Sequence, residues 1–167
     1  MDLKRLLQLR PPWLHLLVAT ESEACDLRAS LPDTGRVVFR MIRGNKARTK
    51  SGLFDEFAAA LQFPHHFGEN WDAFDECITD LSWLSGDAYV FLFVGSIHLL
   101  DQEPADELKR LLTIMDKAGE EWSKPPRRRP FSVLLQCTEK EEPSFRSKLK
   151  PTKVSFDNLP WQPRDHK

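Results

Sequence analysis

Short apolar runs alternate along the chain with stretches of helical period. Residues 13–20, WLHLLVAT, read as a strand rich in Leu and Val, and residues 36–43, RVVFRMIR, as a second. Residues 88–94, AYVFLFV, are apolar almost throughout, as expected of a strand covered on both faces. Residues 131–137, FSVLLQC, form another such run. The intervening segments follow a helical rhythm. Residues 21–31 predict a helix, closed by the turn Pro32-Asp33-Thr34-Gly35. After a basic loop at 44–50, GNKARTK, Ser51 is the expected N-cap of a helix with the apolar stripe Phe54, Phe57, Ala58 and Leu61. Pro64 ends it. Pro104 fits the first turn of a long helix buried through Leu108, Leu111, Leu112, Met115 and Trp122, and PPRRRP at 125–130 breaks that helix. A short edge strand is expected at 153–156. Strands alternating with helices imply an α/β layer around a largely parallel sheet.

One helix stands apart. In the stretch 64–81, PHHFGENWDAFDECITDL, Asn70 is the natural N-cap. At about 100° per residue, Trp71, Phe74, Ile78 and Leu81 then share one side, with Cys77 at its margin. Asp72, Asp75, Glu76 and Asp80 share the other. Acids three and four residues apart repel, at about 0.2–0.5 kcal/mol per pair. The helix dipole favours acids in the first turn, which accounts for Asp72 and at most Asp75. Glu76 and Asp80 lie beyond it.

Charge along the whole chain deepens the puzzle. The net charge is −1, yet the interval between Lys50 and Lys109 holds twelve of the 25 acids and none of the 24 bases. Such segregation bears on fields and partners, including the steering of a basic partner, rather than on fold.

Other features narrow the function classes. No apolar run approaches the roughly 18 residues of a membrane span, and the N-terminus, MDLKRLLQLRPPW, is a poor secretory signal. Three scattered cysteines, Cys25, Cys77 and Cys137, point to free, mostly buried thiols in a reducing, cytoplasmic setting. Neither GxGxxG nor GxxxxGK[ST] occurs, so no nucleotide loop is indicated. His65, His66, Glu69, Asp72, Asp75 and Glu76 are ligand types close in sequence, but no zinc or EF-hand spacing orders them. No pattern marks a Ser or Cys nucleophile with its base, and Cys77 reads as a small core residue. A solvated acidic face, a metal site and a docking face for a protein with a cationic cleft stay open. An enzyme that holds nucleic-acid phosphates has such a cleft, and carboxylates on a rigid helix can face the same Arg and Lys groups.

The run 63–80, FPHHFGENWDAFDECITD, resembles the barstar family, intracellular inhibitors of secreted bacterial ribonucleases. The family pattern Tyr-Gly-Glu-Asn-x-Asp-Ala-x-x-x-Cys-(Leu/Ile)-Thr is met from Phe67-Gly68-Glu69-Asn70 through Asp72-Ala73 to Cys77-Ile78-Thr79. The order of elements agrees over residues 36–138. The resemblance implies a barstar-like α/β domain at 36–138, with a small, mainly parallel sheet packed against helices. Residues 1–35 are then an N-terminal extension of strand plus helix, and 139–167 a C-terminal appendage. Extra sheet edge and a second contact are the roles open to them.

The resemblance also implies a mechanism: the acidic helix and its preceding loop plug the basic active site of a ribonuclease or related toxin acting on nucleic acid. Carried over, Asp72 matches an interface aspartate and Asn70 a loop asparagine at the interface. Glu76 replaces the aspartate that does most of the plugging. Asp116, on the long helix, matches a second-helix glutamate. Phe67 stands at the motif tyrosine, and Asp80 lies nearer the rim. His66 replaces an interface tyrosine and Asp75 an interface tryptophan, which implies a diverged target with a still more basic site. The expected protein is a cytoplasmic monomer that binds its target one to one. It has no enzymatic activity, cofactor, metal, membrane or direct nucleic-acid contact. The alternative is a barstar-fold module that binds a basic protein other than a nuclease.

Overall fold

The computed structural model describes residues 3–160. Five parallel strands form its sheet: β1 (Leu14–Val18), β2 (Val37–Arg43), β3 (Ala88–Val94), β4 (Phe131–Cys137) and β5 (Phe156–Pro160), in the order β2-β3-β4-β1-β5. Every residue of β3 and β4 is buried, which is what their unbroken apolar sequence requires of inner strands. The helices are α1 (Glu21–Cys25), α2 (Lys50–Leu61), α3 (Trp71–Asp80), α4 (Ala105–Ser123) and α5 (Glu142–Leu149).

One face of the sheet carries the main core. There Phe54 and Phe57 of α2, Phe74 and Ile78 of α3, Leu111 and Met115 of α4, and Phe145 of α5 close over Phe91, Phe93, Val133 and Leu135. The other face is covered by the N-terminal segment, where Leu3, Leu6, Ala24 and Leu27 pack on Val90, Leu92, Leu134 and Leu159. Residues outside 36–138 thus complete the same sheet and the same hydrophobic layers. Gly119 shows how closely they join: a Cβ there would collide with Trp13, so only glycine lets that indole lie against α4.

Several expectations need adjusting. β1 is an inner strand between β4 and β5, and the edge on that side belongs to β5, with β2 at the opposite edge. That edge strand starts at Phe156 rather than Lys153, because Lys150–Thr152 forms a 3-10 turn and Lys153 turns the chain with φ 58°. The helix expected over 21–31 tightens after Cys25 into a 3-10 turn, Asp26–Ser30. The N-cap of α2 is Thr49, not Ser51; its hydroxyl accepts the Gly52 N–H at 3.1 Å, the same capping chemistry two residues earlier. Pro104 caps α4 from outside its first turn. The three cysteines are free, but Cys25 is exposed and Cys77 half-buried, so only Cys137 is a buried thiol. No helix among the described residues is long and apolar enough to cross a membrane.

Candidate functional site

α3 forms where the sequence predicts it. Asn70 caps it by accepting the Ala73 N–H at 2.9 Å, and the Asn70 side-chain amide donates to the Gly68 carbonyl at 3.1 Å. Leu81 closes it in the left-handed region, φ 43°. Trp71, Phe74, Ile78 and Leu81 are buried; Asp72, Glu76 and Asp80 are exposed and Asp75 half-exposed. The apolar side enters an aromatic cluster in which Phe74 meets Phe57 edge-on at 4.8 Å and Trp71 meets Phe54 at 5.1 Å.

Two indole hydrogen bonds fasten α3 to α4. Trp71 Nε1 donates to Glu107 Oε2 at 2.6 Å, and Trp122 Nε1 donates to the Ile78 carbonyl at 3.0 Å. The first joins the leading turns of the two helices, and the second joins their trailing halves. α3 is therefore a fixed platform for whatever its outer face meets.

On that outer face, Asp72 and Glu76 have no hydrogen-bond or ion-pair partner among the described residues. Among the described residues Asp80 accepts only from the Ser82 hydroxyl, at 3.2 Å. Asp75 differs, because Lys117 of α4 reaches across to its carboxylate at 3.1 Å. Arg127, from the loop after α4, donates to the Thr79 carbonyl at 2.5 Å and lies over the Trp122 ring with its guanidinium carbon 4.4 Å from the centroid. The helix that carries no base in sequence thus has two bases beside it in space. Together with Glu121, these groups line a groove between α3 and α4.

The remaining expected residues fall in three places. His66 is exposed on the loop before α3, one turn from Asn70. Phe67 is half-buried and packs edge-on against Phe63 at 4.9 Å and Phe54 at 5.7 Å, so its ring serves the core as much as the surface. Asp116 does not line the groove. On α4 it is Lys117 and Glu121 that face α3, and Asp116 stands half-buried on another flank, where burial first and Glu120 second raise its carboxyl pKa. The Cys77 thiol is held protonated by burial and by Asp80 and Glu76, consistent with a core residue. Among the described residues no three His, Cys, Asp or Glu side chains converge as a metal site would require.

Lys117, Glu121 and Arg127 were not singled out from the sequence. The phase of α4 was legible, since Leu111, Met115 and Trp122 mark its buried side. Which flank abuts α3 is a matter of tertiary packing, and so is the path that brings Arg127 back over Trp122.

No curated protein matches the chain. The family model described as barstar, the barnase inhibitor, matches residues 37–136, well over half of the chain. That span runs from the first residue of β2 to the penultimate residue of β4 and contains α2, α3 and α4 whole. The chain belongs to the barstar family.

Proposed function

We propose that the chain inhibits a ribonuclease of the barnase type, or a related toxin acting on nucleic acid. It does so as a non-enzymatic protein that seats α3 and the preceding loop in the enzyme's basic active site. The observation that carries this reading is the pair Asp72 and Glu76: exposed, without a partner among the described residues, on a helix fixed by its neighbours. Carboxylates with no ion pair among the described residues of their own chain keep their attraction for cations on another. Repulsion along α3 is relieved when Arg and Lys groups of the target close over it. His66 and Asn70 border the same face from the loop.

In this role the protein acts in the cytoplasm of a cell that makes the toxin, and one copy blocks one enzyme. The test is inhibition of RNA cleavage. Purified chain is titrated against a panel of barnase-type ribonucleases, with Glu76→Ala as the paired variant. Stoichiometric inhibition that weakens in the variant supports the proposal. Binding to a basic protein without loss of cleavage would instead identify an interaction module, and absence of any inhibition across the panel would overturn the assignment.

A further inference from the structure

The groove between α3 and α4 sets Asp75, Glu76, Asp80 and Glu121 against Lys117 and Arg127, so it is acidic overall. Its charge is not evenly spread. On the α4 side the acids are taken: Lys117 holds Asp75 at 3.1 Å, and Lys124 holds Glu121 at 3.1 Å. Arg127 spends its charge on the last turn of α3, with its guanidinium on the Trp122 ring and a donor on the Thr79 carbonyl. On the α3 side Asp72, Glu76 and Asp80 have no ion pair among the described residues. The row of unpaired acids therefore stops at Asp75, and Lys117 is the group that stops it.

We infer that Lys117 is a specificity-determining residue of the docking face. It withdraws Asp75 from the partner and repels cations that approach from the α4 side. Its side chain is 61% exposed, so the ammonium stands at the surface an incoming protein meets. A partner's cation brought to Asp75 must displace Lys117 or share the carboxylate with it, and two like charges at that range repel. An exposed pair of this kind adds little to folding, so its effect is felt in binding. The targets accepted most readily are those whose basic cleft covers α3 and ends before α4. This selection rests on the function proposed above and narrows it to targets with that distribution of cations.

Two other roles for Lys117 predict different results. A lysine that touched an acidic group of the partner would weaken binding when removed. A lysine that acted only through the net charge of the chain would count no more than any other exposed lysine.

The experiment uses the full chain and a barnase-type ribonuclease chosen because the unaltered chain inhibits it. Affinities are measured for Lys117→Met, Asp75→Asn, the double variant and Lys140→Met, with folding of each checked by its melting curve. Lys140 is exposed beside Val18 and Thr138, at the ends of β1 and β4, and its removal controls for net charge. At low salt Lys117→Met should bind about three- to tenfold tighter than Lys140→Met. Asp75→Asn leaves Lys117 unopposed and should weaken binding, whereas the double variant should return to within about twofold of the unaltered chain. Lys117→Met no tighter than Lys140→Met, or weaker than the unaltered chain, would overturn this inference and leave the inhibitor reading standing. Failure of the unaltered chain to inhibit any ribonuclease tested would overturn both.

Discussion

Glu56, Asp101 and Glu107 lie in the same base-free interval as Asp72 and Glu76, yet their surroundings differ in kind. Glu56 takes Arg43 in a two-pronged contact, at 2.6 Å and 3.1 Å. Asp101 takes Arg48 in the same way, at 2.8 Å on both oxygens. Glu107 accepts the Trp71 indole and stands 3.7 Å from the Lys50 ammonium. The bases come from β2 and the basic loop that follows it, folded back against the start of α4. Both carboxyls clamped by arginine sit below their ordinary pKa, with the guanidinium hydrogen bonds as the largest cause. Glu56, Asp101 and Glu107 are thus used inside the molecule, whereas Asp72 and Glu76 on α3 are left to solvent. Segregation in sequence overstated the unpaired charge, and Asp55, Glu69 and Asp106, exposed and without a partner among the described residues, add to the field of the α3 face.

Mutations should separate these two populations. The largest effect is expected at Glu76. If it enters the target's cleft, Glu76→Ala costs about 2–5 kcal/mol of binding, mostly through faster dissociation, because the partner's cations are left buried and unpaired. That range is drawn in part from the barnase–barstar complex itself. Folding stability should hardly change, since nothing among the described residues pairs with Glu76. Surface plasmon resonance and urea unfolding of the same variant check both halves, and a large loss of stability would erase the distinction between the two groups of acids.

On the internal side, the most buried charge cluster lies outside the interval altogether. Asp157 of β5 takes Arg5 on one oxygen and His15 Nδ1 on the other, while His15 Nε2 is buried without a partner. Burial, and then Arg5, bring the His15 pKa down to about 4. The Asp157 carboxylate pulls the other way, but Arg5 already balances its charge, so burial prevails. An unfolded imidazole takes its proton near pH 6.5, so between about pH 6.5 and 4 the unfolded state binds more protons than the folded one, and stability falls as the solution is acidified. The loss specific to His15 should reach about 2–3 kcal/mol at the low end of that window. Denaturant unfolding from pH 7 to 5, compared with His15→Leu, isolates it. Parallel pH profiles for the two proteins would show that His15 does not titrate as its burial demands.

Glu107 tests the intermediate case. Glu107→Ala removes the acceptor of a buried indole N–H and should cost about 1–2 kcal/mol of folding stability. Because that bond anchors the first turn of α3, binding should weaken modestly as well. A binding loss comparable to that of Glu76→Ala, with stability intact, would move Glu107 into the docking face.

How much of this was legible beforehand depended on the range of the interaction. The two sides of α3 follow from 3.6-residue periodicity and the Asn70 cap, both local, so the burial of Trp71, Phe74, Ile78 and Leu81 could be read directly. β3 and β4 were equally plain, because inner strands of a parallel sheet need apolar side chains in both directions. The pairing of Asp75 with Lys117 was not legible. It spans 42 residues and depends on how α4 rolls against α3. The placement of β1 was hidden for a similar reason. Nothing in WLHLLVAT says whether β5 will cover its far side, and β5 itself is short and half polar. Which residue of α4 lines the groove was hidden for the same reason: one residue along the helix is about 100° of rotation, which separates Asp116 from the lysine beside α3.

The smallest expected effect is at Asp80, and its kinetics are more informative than its size. This carboxylate is exposed at the last turn of α3, with a serine hydroxyl for company and Arg127 nearby on the Thr79 carbonyl. Being near the rim, it stays hydrated in the complex, so Asp80→Asn should cost about 1 kcal/mol or less and act on association more than dissociation. The effect should fade as ionic strength rises from about 0.01 M to 0.15 M, where the Debye length shrinks from roughly 30 Å to 8 Å. The Glu76 effect should persist over the same range, because a desolvated pair is screened far less. Rate constants for both variants across that salt series distinguish a plugging carboxylate from a steering one. If the two respond alike, weakly and without regard to salt, α3 is only a solvated acidic face and the partner docks elsewhere.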